Sequence, residues 1–203
     1  MKKRIGSRQI LLLILLLVAA VIPVFVRIPY LLSICVMTFY MASASLAWSI
    51  LGGLTGQISL GPASFMGLGA YMSTLLLVKQ NVSPWISIPL VFLFVGVLTA
   101  LLLSPCFVLR GPYFSLVTIA FGEAFRNLMT NWDFAGKGQG LLLPFGENSL
   151  ALLRFKSKVP YFYLSLLMVI AVYLIVRAID RSKFGYALKT VREDEDTANA
   201  IGI

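Results

Sequence analysis

Glu123 and Arg126 are the charged residues of the run Pro112–Thr130, which otherwise holds apolar and small polar residues. Glu123 is the only acidic residue at membrane depth, and neither a histidine nor a polar cysteine joins it, which leaves a thin set of groups for general acid–base catalysis. The chemistry available therefore argues against a membrane-embedded enzyme. On a helix, charges three residues apart are neighbours and can pair. The pair is either part of the polar wall of a transport path or a structural ion pair that fixes the register of the helix.

The polar residues of this run share one side of the predicted helix. At about 100° per residue, one half of the circumference collects Ser115, Thr118, Gly122, Glu123, Arg126, Asn127 and Thr130. The other half collects Phe114, Val117, Phe121, Phe125 and Leu128. We expect the first half to face the interior of a bundle and the second half to face lipid.

A glycine-rich stretch, LGGLTGQISLGPASFMGLGAY, covers Leu51–Tyr71 and predicts a broken helix. Its flanks are apolar, so the broken backbone stays at membrane depth and must be buried in protein or line a water-filled cavity. Pro62 suits the first turn of a new helix, whose free N–H groups attract a carboxylate. Close helix packing is the alternative, because Gly52-x-x-x-Gly56 and Ala63-x-x-x-Gly67 are pairs of small residues that let backbones approach. Spacing alone supports both interpretations equally.

The composition excludes a water-soluble globule. Of the 203 residues, 59% are apolar and 12% are charged, and mean hydropathy is +0.91. So few charges cannot cover a soluble domain, and so many apolar residues exclude intrinsic disorder. The net charge of +9 lies in residues that flank apolar runs, which indicates orientation in a membrane and no nucleic-acid partner. Cys35 and Cys106 lie in apolar runs and are expected to be core residues, with no metal site.

The fold class predicted is all-α: a polytopic bundle of transmembrane helices, about six in number, one of them broken. Each span needs about 20 mostly apolar residues. The predicted spans are Ile10–Val26, Leu31–Leu51, Pro62–Val78, Trp85–Leu109, Pro112–Thr130 and Val159–Val176. Lysines and arginines are more numerous on the side of the N-terminus, which predicts that both termini are cytoplasmic. The first run is longer than a usual signal-peptide core, which favours a retained span.

Residues 178–203 change in character and form a predicted cytoplasmic segment. Thr190-x-x-Glu193 matches a capping box, and acidic residues follow in the first turns of a short helix. Small residues come next, and Gly202 is expected to end the helix. This helix is either a knob for a groove on a cytoplasmic partner or a solvated helix next to the membrane.

Three motifs together resemble one family. LTGQISLGPASFMGLGAY (Leu54–Tyr71), RGPYFSLVTIAFGEAFRNLMTNWD (Arg110–Asp133) and SKFGYALKTVREDEDTANAIGI (Ser182–Ile203) are similar to stretches of the bacterial branched-chain amino-acid ABC-transporter permeases, in the family's order. Urea and short-amide permeases are similar in the same places. The sequence contains no Gly-x-x-x-x-Gly-Lys-Ser/Thr phosphate loop.

The resemblance implies an importer subunit in the inner membrane, with no cofactor in this chain and ATP bound by partner subunits. The implied partners are a second related permease, two cytoplasmic ATPases, an extracytoplasmic substrate-binding protein and membrane lipid. An ion-coupled carrier without an ATPase is the other alternative, although a carrier has no need of a docking helix.

The resemblance and the residue patterns give three sets of candidate residues. The substrate path is predicted to include Gly56, Gln57, Ser59, Gly61, Ser64, Thr118, Glu123 and Arg126. The ATPase-docking residues are Asp196, Thr197, Ala198 and Gly202, where the family has Glu-Ala-Ala-x-x-x-Gly. The binding-protein docking residues are Trp132, Asp133, Gly138 and Gly140.

Two departures from the family stand out. Pro62 occupies a position where the family usually has histidine, so no imidazole acts there. Family members also continue past the docking loop with further spans. The resemblance therefore predicts that this sequence is a fragment or the product is truncated.

Overall fold

The fold is described from a computed structural model, which covers residues 19–23, 25, 28–109, 111–143, 149–200 and 202. The first predicted span, Ile10–Val26, lies mostly outside these residues. Its described residues, 19–23 and 25, are helical, and Ala19 packs on the helices that follow.

Helices dominate the described chain, which contains no β-strand beyond an isolated bridge between Ser149 and Arg154. The helices are α1 (Pro29–Ser49), α2 (Pro62–Gln80), α3 (Pro84–Leu103), α4 (Pro112–Asn131), α5 (Val159–Asp180), α6 (Lys183–Glu193) and α7 (Glu195–Ala200). A π-helical segment, Ile50–Thr55, extends α1. Short 3-10 turns occupy Ser104–Val108, Asp133–Ala135 and Lys137–Gln139.

Proline marks the start of the long helices. Pro29, Pro62, Pro84 and Pro112 are the first residues of α1 to α4, where the missing N–H has no intrahelical partner in any case. Asn81, with φ 52°, ends α2 in the left-handed conformation that asparagine tolerates. Local chemistry therefore sets these boundaries close to those predicted.

Two groups of helices pack together. α1 packs chiefly against α5, where Leu32, Phe162 and Leu166 form a buried cluster and the Phe39 ring meets the Phe162 ring edge-on at 5.2 Å. α2 packs against α3 and α4. The second group holds the glycine-rich break.

Large apolar side chains cover the outside of the described bundle. Phe92 and Leu101 of α3 and Leu167 of α5 are exposed, as hydrocarbon permits and water does not. Among the described residues, three helical segments are long and apolar enough to cross a membrane: Pro29–Thr55, Pro84–Cys106 and Val159–Asp180. The all-α membrane protein is confirmed, whereas the count of six spans stays a prediction.

Candidate functional site

The glycine-rich break begins where α1 widens into its π-helical turn. Gly56 then takes a left-handed conformation with φ 73°, and the chain runs on without helix until Pro62 opens α2. The indole Nε1 of Trp48 donates a hydrogen bond to the carbonyl oxygen of Ser59 at 2.7 Å. A Cβ on Gly52 would lie 2.7 Å from the Trp48 ring, so glycine leaves room for the indole. Trp48 thus ties the two ends of the break together.

The first half of α4 holds the middle of the break. The Ser115 hydroxyl donates to the carbonyl oxygen of Ile58 at 2.5 Å, and the Leu60 N–H donates to Oγ1 of Thr118 at 3.0 Å. Thr118 is 1% exposed, and its hydroxyl also donates to the carbonyl oxygen of Ser115 at 2.9 Å. These side chains satisfy backbone groups that the lost helix leaves unpaired, as a break at membrane depth requires.

Close backbone approach accompanies these hydrogen bonds. Gly61 is buried, and a Cβ there would lie 3.0 Å from the Thr118 carbonyl oxygen. A Cβ on Gly122 would lie 2.9 Å from the Ser64 hydroxyl. Several predicted path residues, Ser59, Gly61, Ser64 and Thr118, therefore lie together, but as a packed junction between α2 and α4.

The expected lipid-facing half of α4 is wrong in part. Phe114 is buried, the Phe121 ring lies 5.9 Å from the Phe65 ring of α2, and Phe125 is 3.9 Å from where a Gly67 Cβ would stand. Packing of Phe121 on Phe65 and of Phe125 beside Gly67 therefore outweighs the simple division into polar and apolar sides. Leu128 is exposed, as expected.

The charged pair lies on the exposed side of α4. Arg126 Nε and Nη2 donate to Glu123 Oε2 and Oε1 at 2.6 and 2.9 Å, a two-point ion pair. The side chains are 68% and 56% exposed respectively. Asn127 and Thr130 are exposed near them. The pair predicted from the spacing is present.

The predicted binding-protein docking residues form a compact turn after α4. Trp132 is exposed and its ring lies 5.9 Å from the Phe134 ring. Asp133 pairs with Lys137 at 2.5 Å between Oδ1 and Nζ. The other two predicted residues are glycines of the same turn. Gly138 has open space around it, and Gly140 has a φ of 70°.

The tail forms two helices where one capped helix was expected. Thr190 and Glu193 both lie in α6, and the Thr190 hydroxyl donates to the Tyr186 carbonyl oxygen, so the predicted capping box is wrong. Asp194 caps α7 in its place, because its Oδ1 accepts from the N–H groups of Asp196 and Thr197 at 3.0 and 3.4 Å. Asp194, the second residue of the acidic run, therefore caps the helix, as aspartate commonly does.

The predicted ATPase-docking residues differ in their exposure to solvent. Asp196, Thr197 and Gly202 are exposed, whereas Ala198 is 1% exposed. The small face thus packs partly within the described chain.

Two residues of the site were missed by sequence reasoning. In the sequence, Trp48 resembles any other apolar residue of a predicted span, and Arg192 resembles the other basic residues of the tail. Arg192 Nη1 donates to the carbonyl oxygen of Gly53 at 2.8 Å, across 139 residues of sequence. A single sequence carries no signal for a contact at that separation.

Gln57 completes the predicted path residues. Its backbone N–H donates to the Thr55 hydroxyl at 3.4 Å, which keeps it close to the end of the π-helical segment.

Comparison with known proteins identifies relatives. Residues 30–203 match the family of the branched-chain amino acid transport system permease component. The chain is 27% identical over 219 residues to the high-affinity branched-chain amino acid transport system permease protein LivM of Escherichia coli (strain K12). It is 28% identical over 219 residues to the protein of that name from Salmonella typhimurium (strain LT2).

These matches cover 97% of this chain and 52% of each relative, so the chain spans about half the length of the curated relatives it matches. No solved structure is significantly similar to it. The apolar helices and the relatives agree on a membrane protein of the inner membrane. Since the match takes in nearly all of the described helices, the chain belongs to the branched-chain amino acid transport permease family.

Proposed function

We propose that this chain is a membrane-spanning subunit of an ATP-driven importer for branched-chain, hydrophobic amino acids. The observation that carries the proposal is the family match over residues 30–203. An extracytoplasmic binding protein delivers the amino acid, a second related permease completes the path, and two cytoplasmic ATPases bind and hydrolyse ATP. The chain itself performs no chemical catalysis.

The substrate path runs past the junction of the break and α4. The amino-terminal end of α2, beside Gly61 and Ser64, carries the positive end of the helix dipole, toward which a substrate carboxylate is attracted. Ser59 and Thr118 are buried next to this end of the helix and help to hold it in place. Glu123 and Arg126 form part of an open polar wall, since both are exposed on a helix whose other side is packed.

In the proposed orientation both chain termini are cytoplasmic and the chain crosses the membrane six times. Basic residues of α6, among them Lys183, Lys189 and Arg192, then lie on the inner side. The turn after α4, with Trp132 and Asp133, lies outside and receives the binding protein. The exposed residues Asp196, Thr197 and Gly202 meet an ATPase, while buried Ala198 shapes that surface from beneath.

Uptake by the complete transporter tests the proposal. Proteoliposomes holding this permease with its partner permease and ATPases, and supplied with the binding protein, are given labelled leucine with ATP on the ATPase side. We expect ATP-dependent uptake that excess isoleucine or valine competes away and excess urea or acetamide does not. Competition by urea or acetamide alone favours a short-amide permease. Uptake that needs an ion gradient and no ATP favours a carrier.

The docking surface is tested separately at Gly202, around which there is open space. Its φ of 79° is a conformation that asparagine tolerates well, so Gly202→Asn is the matched control for Gly202→Arg. We expect the ATPase to co-purify with the asparagine variant and to be lost from the arginine variant. Equal recovery from both would remove Gly202 from the docking surface.

A further inference from the structure

We propose that Arg192 is a positioning residue that transmits movement of the tail helices to the glycine-rich break. The inference rests on the proposed function and assigns one residue to the coupling between ATP hydrolysis and transport. It is carried by the juxtaposition of Arg192 with Gly53 and Gly56, at the place where α1 ends and the break begins.

The contact has two parts. The guanidinium Nη1 of Arg192 donates to the Gly53 carbonyl oxygen at 2.8 Å, and the Arg192 Cγ lies 3.0 Å from where a Gly56 Cβ would stand. Gly53 belongs to the π-helical segment, and the left-handed Gly56 directly follows that segment. Carbonyl groups at the end of a helix carry partial negative charge, which a cation stabilises. The side chain of Arg192 thus covers the turn and bonds to it.

In the tail, a hydrogen bond and close packing hold α6, the helix that carries Arg192, against the end of α5. The N–H of Gly185 donates to the Ser182 hydroxyl at 3.1 Å, which caps α6 directly after α5. A Cβ on Gly185 would collide with the Ile179 carbonyl group, so α6 lies tight against the end of α5. Arg192 is at the far end of α6, next to the Asp194 cap of α7. A push on α7 therefore reaches Arg192 through a short, hydrogen-bonded connection.

The break end of the linkage is anchored to α4. Ser115 and Thr118 bond to the backbone of Ile58 and Leu60, within the stretch that follows Gly56. Contiguous contacts therefore run from α7 through Arg192 and the π-helical turn to α4, as coupling between separated sites requires. Movement of the tail can change the pitch of the turn and shift the amino-terminal end of α2.

Parallel measurement of ATP hydrolysis and leucine uptake in the complete transporter tests this role. For Arg192→Gln we expect ATP hydrolysis to stay close to that of the wild type while uptake per ATP falls by about tenfold, a usual size for allosteric coupling. Arg192→Lys keeps a cation that can donate to Gly53 and should restore part of the loss. The matched control is Lys189→Gln on the same helix as Arg192, which removes a half-exposed ion pair with Asp180 at the end of α5 and should leave uptake per ATP unchanged.

The outcomes separate the inference from the function on which it rests. If uptake and hydrolysis fall together in Arg192→Gln, the residue is merely structural and the coupling role is overturned. Unchanged uptake per ATP in Arg192→Gln, beside an active wild type, also overturns it and leaves the proposed function standing. A wild-type complex that takes up no branched-chain amino acid removes the proposed function, and the inference with it.

Discussion

In the first half of α4, Ser115 and Thr118 bond to the backbone of the break, whereas in the second half Glu123 and Arg126 bond to each other and stay exposed. Both halves carry polar side chains in a helix of a membrane protein, where such groups need partners. The first half therefore satisfies backbone groups of this chain, whereas the second half exposes a charged pair on the surface of the described bundle. Variants on the two halves should accordingly fail in different ways.

The largest effect is expected where the first half meets the break most closely. Gly61→Leu would place a side chain against the Thr118 carbonyl group, and overpacking of this kind should lower the free energy of unfolding by about 3 kcal/mol. The control is Gly69→Leu on α2, where open space surrounds the glycine. Denaturant titration in detergent measures both, and equal stability of the two variants would contradict the packed junction.

Thr118→Val keeps the shape of the side chain and removes its hydroxyl. The part-buried N–H of Leu60 then loses its acceptor, which should cost about 1 kcal/mol in the free energy of unfolding. Thr130→Val serves as the control, because the exposed Thr130 hydroxyl bonds within its own helix to the Arg126 carbonyl oxygen. If Thr118→Val is as stable as Thr130→Val, hydrogen bonding does not hold the break on α4.

On the second half of α4, variants of the charged pair test whether the pair lines the transport path. Glu123→Gln should leave the stability of the chain nearly unchanged, because the pair is exposed, yet reduce leucine uptake by about fivefold if the polar wall lines the path. The exchange Glu123→Arg with Arg126→Glu keeps the pair and reverses its order. Full uptake by the exchanged variant would show that pairing alone matters and would assign the pair a structural role.

The smallest effect is expected beyond the end of α4. Gly138→Arg adds bulk in open space and should not alter folding, but it should weaken stimulation of transport by the binding protein about threefold. Gly138→Ala is the control for loss of the glycine itself. Titration of ATP hydrolysis against binding-protein concentration compares the two variants, and identical curves would take this turn out of the docking surface.

Local chemistry accounts for what the sequence predicted well. Pro62 opens α2, and the glycines before it break the helix, because proline and glycine act on their own backbone. The Glu123–Arg126 pair follows from helical spacing alone. The family resemblance rests on motifs that lie along the chain and is confirmed by the match over residues 30–203.

The contacts that hold the site were beyond reach because they join distant parts of the chain. Ser115 and Ile58 are 57 residues apart, and Arg192 and Gly53 are 139 apart. Periodicity on α4 placed Phe125 toward lipid, since it cannot show that Gly67 of α2 leaves room beside the ring. At the tail, both Thr190 and Asp194 could cap a helix. The sequence does not show that α6 continues to Glu193, and it is this end of α6 that leaves Asp194 as the cap of α7.

Cysteine labelling in the complete transporter tests the contrast between the two halves of α4 most directly. Cys35 and Cys106 are first replaced by alanine, and single cysteines then replace Thr118, Asn127 or Leu128. A membrane-impermeant maleimide needs a thiolate in contact with water. We predict labelling at Asn127, slowed by leucine with the binding protein, and none at buried Thr118 or at exposed Leu128, which we expect to face lipid. Labelling at Thr118, or equal silence at all three positions, would contradict the account.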